Sequence, residues 1–248
     1  MERGLWNVEQ RAIAWYCNDM KVAVLLALLG SAADETAQVR SALALEDKGN
    51  DVQALALLDQ YAATDPQAAL ARIEASRIRM KSGQELDRAQ ADLVAARNAA
   101  PDNPRADYLF GELMQERGNL AEAARSFERA VAIRIDYPEA HERLAAIYFD
   151  QGDWTKAEAS YRAVASRRPE RTPDRLQLAL VLEKEGRLTD AETELKRLHA
   201  DQPGSVLVAR RLAEFYDRTN RPKLAAKLRQ SMDPGDQRKL RTLKRSPR

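Results

Sequence analysis

The residues in this 248-residue chain able to do covalent or metal chemistry are few and scattered. There are two histidines, His141 and His199, and one cysteine, Cys17. A nucleophile needs a base within hydrogen-bond reach, and Cys17 has no histidine near it in sequence. The histidines sit in different stretches, and both read as packing or surface residues. No Cys/His set has metal-ligand spacing, and no glycine-rich phosphate loop is present. Carboxylates are abundant, but they recur at helical spacings among arginines, which is the pattern of i,i+4 surface pairs. The sequence therefore predicts no catalytic residue, no cofactor site and no metal site. One cysteine also rules out an intramolecular disulfide.

The elements that carry these residues follow a long period. Gly118, Gly152 and Gly186 stand 34 residues apart, and Asn220 holds the next place. An alanine recurs with them: Ala54, Ala89, Ala123, Ala157, Ala191 and Ala225 are spaced by 34, with one step of 35. Within Gly118–Ile133, Ala123, Phe127 and Ala130 fall on one helical face. A period of this size marks stacked helix pairs, none of which buries its apolar face alone. Proline and glycine punctuation predicts helices over Glu35–Lys48, Asp51–Thr64, Gln67–Ser82, Leu86–Ala99, Pro104–Arg117, Leu120–Arg134, Pro138–Gln151, Trp154–Arg167, Thr172–Glu185, Leu188–Ala200, Val206–Thr219 and Pro222–Ser231. The step of 35 is assigned to an additional residue in the turn Gly83-Gln84-Glu85. The helix before that turn is the most irregular, with Arg72, Arg77 and Arg79. Small residues at Gly111, Ala145, Ala179 and Ala213 predict close crossings. Tyr148, Tyr216, Phe127, Tyr161 and Leu195 are expected to fill the space between pairs.

These features resemble the tetratricopeptide repeat family over about Glu35–Ser231. The resemblance is carried by Leu109-Phe110-Gly111 with Met114 and Gly118; by Leu144-Ala145 with Tyr148, Gly152, Ala157, Tyr161 and Pro169; and by Leu178-Ala179 with Leu182, Gly186, Ala191, Leu195 and Pro203. Departures are local. Tyr61, Val164, Leu198 and Met232 stand where a small alanine is usual, and His141 where an aromatic is common. The resemblance implies an all-α fold, a right-handed superhelical solenoid of about six antiparallel helix pairs, with repeats at about 35–68, 69–103, 104–137, 138–171, 172–205 and 206–232. It also implies a concave groove lined by the first helix of each pair. The groove candidates are Tyr108, Glu112, Gln115 and Glu116; Glu139, Glu142, Phe149 and Asp150; Leu176, Leu180, Glu183 and Lys184; and Arg210, Glu214 and Asp217. The middle of this surface is acidic with apolar patches, which suits a protein or peptide partner with a basic or amphipathic segment better than one with an acidic tail. The lysine/asparagine clamp by which cochaperone members grip a chaperone's C-terminal carboxylate is absent, since the matching positions hold Tyr108, Glu112, Glu142 and Ala146.

Two termini flank the array. In residues 1–34, Met20-Lys21, the apolar run Val22–Leu29 and Ser31-Ala32-Ala33 allow two readings: a short secretory signal starting at Met20, or a helix capping the first repeat. The run is too short to span a bilayer. Residues 233–248 carry Arg238, Lys239, Arg241, Lys244, Arg245 and Arg248 and are expected to be a disordered basic tail. A net charge of +2 gives no electrostatic case for nucleic acid as the main partner, and membrane association stays open. Two functions are consistent with this: a non-catalytic adaptor holding a partner segment in its groove, or an exported envelope factor assembling a pilus, secretion or cell-surface complex. The protein is accordingly cytoplasmic or, if Met20 is the start, periplasmic.

Overall fold

The computed structural model describes residues 34–230. Cys17, the Val22–Leu29 run and the basic tail lie outside them. Among the described residues the fold is all-α, in two compact units that divide between Asn119 and Leu120.

The first unit contains α1 (residues 34–46), α2 (Asp51–Thr64), α3 (Ala69–Ser82), α4 (Leu86–Ala99) and α5 (Pro104–Glu116). The second contains α6 (Leu120–Ile133), α7 (Pro138–Gln151), α8 (Trp154–Arg167), α9 (Thr172–Lys184), α10 (Leu188–Asp201), α11 (Val206–Arg218) and α12 (Pro222–Gln230). Within each unit α2 to α5, and α6 to α12, pack on their sequence neighbours, and α3 also meets α5 and α9 meets α11. Among the described residues no helix is long and apolar enough to cross a membrane.

The periodic alanines explain this packing. Ala54, Ala89, Ala123, Ala157, Ala191 and Ala225 are all 0 % exposed. Each presents only a methyl group to the core, which lets neighbouring helices pack closely. Ala145, Ala179 and Ala213 are buried likewise on α7, α9 and α11. Phe127, Tyr148, Tyr161, Leu195 and Tyr216 are buried as expected. Val164 and Leu198, the large residues at small-residue positions, are also fully enclosed.

Helix ends follow local chemistry. Asn103 accepts from the Arg105 N–H at 3.0 Å and caps α5, with Pro104 in the first turn, where a missing N–H costs little. Gly118 turns at φ +75°, and Asn220 takes the same left-handed place at φ +57°, a conformation asparagine tolerates better than most residues. α3 starts at Ala69, two residues later than its apolar pattern predicts, because the Asp65 carboxylate accepts from the Gln67 N–H at 2.8 Å and holds Asp65–Gln67 in a turn.

The arginines that make α3 look irregular all have structural partners. Arg72 donates to the carbonyls of Ala62, Asp65, Pro66 and Ala68 and closes the C-terminal end of α2. Arg77 bridges Glu46 and Glu74. Arg79 is 1 % exposed, and its guanidinium meets Asp59 at 2.6 Å, Glu85 at 2.9 Å and Asp92 at 2.9 Å. Burial works to lower its pKa, and the bonds to Asp59 and Glu85 overcome that and raise it. Glu85, the residue before α4, sits at φ +51° in the enlarged turn, which places its carboxylate on Arg79.

Candidate functional site

In the first unit, the candidates lie on α5. The Tyr108 hydroxyl donates to Glu112 Oε1 at 2.9 Å, fixing that pair along one helix face. Gln115 Oε1 is buried with no hydrogen-bond partner among the described residues, and Glu116 is exposed at the helix end.

In the second unit, the α7 carboxylates have counter-ions. Glu139 pairs with Arg168, and Glu142 meets both Arg168, at 3.0 Å, and Arg171. Both arginines come from the α8–α9 connection. Phe149 packs edge-on against Trp154, ring centroids 5.4 Å apart, and Asp150 is exposed. On α11, Glu214 lies 3.7 Å from Arg210 and 3.5 Å from Arg211, and Asp217 pairs with Arg229.

Leu176, Leu180 and Glu183 come together. They line a pocket of about 140 Å³ between α9 and α11, with Leu207, Arg211 and Arg218 opposite. The sequence of α9 explains it. Residues 176–182 are apolar at every position but Gln177, more than one core-facing stripe can use. Leu178, Ala179, Val181 and Leu182 are buried, while Leu176 and Leu180 remain half-buried at the pocket. Arg218 closes one end with a two-pronged bond to Glu183, at 2.7 and 2.8 Å, and that bond raises the Arg218 pKa.

Sequence reasoning missed Leu207, Arg211 and Arg218. Glu183 and Arg218 are 35 residues apart, about one repeat, so opposite charges one period apart were a usable signal. The acidity counted on first helices alone also leaves out the counter-ions Arg168 and Arg171, which stand in the α8–α9 connection. The histidines lie apart, His141 on α7 with Nε2 3.2 Å from the Ile135 carbonyl, and His199 on α10. Among the described residues no group of three or more His, Cys, Asp or Glu could hold a metal ion.

Sequence models of the tetratricopeptide repeat match residues 73–138 and 114–181. Residues 73–181 are thus built of tetratricopeptide repeats. Their stacked, all-helical pairs belong to a fold that is typically a non-catalytic interaction scaffold. Similar solved structures include YrrB, described as a tetratricopeptide repeat protein with an unusual peptide-binding site, at 17% identity over 70% of this chain and 89% of that one, TM-score 0.61. A tetratricopeptide repeat protein from Parabacteroides merdae is 16% identical over 81% of this chain and 80% of its own, TM-score 0.59. PilW, described as a type IV pilus biogenesis factor, is 20% identical over 79% and 90%, TM-score 0.56. At these identities the likeness is one of fold.

Proposed function

We propose that this protein is a non-catalytic adaptor that holds an amphipathic segment of a partner protein against the first helices of its repeats. The observation that carries this reading is the α9–α11 pocket, where Leu176 and Leu180 offer apolar surface that the core does not consume. A half-buried apolar floor rimmed by charge suits an amphipathic helix or extended segment, whose anchors enter the pocket while its polar side stays wet. The peptide-binding description of YrrB supports the same reading for a chain of like fold.

Affinity capture with the full chain tests it. Partners held by the wild type are expected to be lost with Leu180→Glu and kept when the residues after Asp233 are removed. Capture that survives Leu180→Glu and disappears with the tail would transfer the interaction to the tail and refute the groove reading.

The second reading, an envelope assembly factor, draws on the PilW likeness and the Met20–Ala33 pattern. N-terminal sequencing of the protein from fractionated cells tests it: a mature terminus at Asp34 supports export, and an intact Met1 in the cytosol contradicts it.

A further inference from the structure

The charges around the α9–α11 pocket give the partner a sign. Glu183 is spent on Arg218, which holds both of its oxygens. Among the described residues, Glu214 lies between Arg210 and Arg211, at 3.7 and 3.5 Å, distances long for a strong ion pair. One carboxylate thus serves two guanidinium groups. Asp217 is already paired with Arg229. Lys184 is exposed, one helical turn beyond Leu180 on α9, with no ion pair among the described residues. Arg211 at the pocket and Lys184 one turn beyond Leu180 therefore offer cationic capacity that the ion pairs among the described residues do not consume.

We propose that this pocket takes an aliphatic side chain from a partner segment that carries acidic residues beside that anchor, the carboxylates reaching Arg211 and Lys184. The inference rests on the groove-binding reading above and reverses, at this pocket, the basic partner that a count of carboxylates on the first helices implies. The floor formed by Leu176 and Leu180 suits an aliphatic anchor such as Leu, Ile, Val or Met. Specificity then comes from the flanks, where a basic residue beside the anchor would meet Arg211 and Lys184 as like charges.

Selection of random peptides of about twelve residues, displayed on phage, against the full chain separates the possibilities. Peptides whose binding depends on the pocket are those lost when the target carries Leu180→Glu. Leu207→Asp, at a position already 39 % exposed, provides the same subtraction should Leu180→Glu perturb folding. The expected result is that these peptides share Leu, Ile, Val or Met with Asp or Glu within about three positions. Synthetic versions should weaken about fivefold against Lys184→Glu/Arg211→Glu. Pocket-dependent peptides with Lys or Arg beside the anchor would overturn the proposed sign and leave groove binding standing. No peptide sensitive to either pocket variant would overturn the groove reading and this proposal with it.

Discussion

Replacing Arg79 with methionine tests whether the irregular helix α3 is held by charge and not by apolar packing. The substitution keeps an unbranched stem and removes the guanidinium from between Asp59, Asp92 and Glu85. Glu85 is 58 % exposed on its side chain and can turn to water, and Arg88 stays 2.9 Å from Asp59. The loss therefore concentrates on Asp92, whose carboxyl is already pushed up by burial and held back by Arg79. Breaking a buried pair costs about 3–5 kcal/mol, and with Arg88 remaining on Asp59 about 3 kcal/mol is expected at pH 7. Without Arg79, Asp92 in the folded variant binds a proton more readily than in the unfolded chain. A raised carboxyl pKa favours folding at low pH and loses that contribution as pH rises, so the deficit against wild type should narrow by about 1 kcal/mol between pH 7 and pH 4.5. Urea unfolding followed by circular dichroism at both pH values measures this. Repeats can unfold in parts, so amide exchange in α3 and α4 should show the same loss locally. A deficit below about 1 kcal/mol, or one equal at the two pH values, would refute the reasoning.

Other consequences are open to measurement. Phe127→Ala, at a side chain 0 % exposed, should cost about 3–5 kcal/mol in denaturant unfolding through the cavity it leaves. Ala157→Leu, on the periodic ladder, should cost about 1–3 kcal/mol by overpacking, whereas the same change at exposed Ala159 should cost under 0.5 kcal/mol. The hydrogen bond from Arg77, with Lys81 adding to it, lowers the Glu46 carboxyl from 4.5 to about 2. A depressed carboxylate stabilises above its unfolded pKa, so the melting temperature should fall between pH 4.5 and pH 2, and Glu46→Gln should flatten that part of the profile. Gly186→Ala, at φ +77°, should cost about 1–2 kcal/mol through the left-handed backbone alone, since a Cβ there meets nothing within 4 Å.

The periodic part of this molecule was legible because stacking imposes one requirement every repeat. A residue that must be small at each crossing leaves an alanine at a fixed interval, and all six alanines are fully enclosed. Arg79 follows no such rule. Its partners come 20 residues before and 13 after, at Asp59 and Asp92, and nothing in the order of residues shows that they converge. So α3 reads as irregular when it is ionically bound. At the candidate site, Leu176, Leu180 and Glu183 follow from the family resemblance, which assigns the groove to the first helix of each pair. Leu207 and Arg211 do not, because they enter from α11, whose register against α9 is a tertiary fact; Arg218 alone leaves a trace, an opposite charge one repeat from Glu183. The charge of the surface is only partly legible for the same reason: Glu139 and Glu142 are acidic on their own helix, but their counter-ions Arg168 and Arg171 arrive from a connection.

The most direct test of the account is hydrogen–deuterium exchange of the full chain with and without a peptide selected as above. The account predicts new protection centred on α9 and α11, weakened in the Leu180→Glu chain. Protection confined to residues after Asp233, or to helices other than α9 and α11, would contradict it.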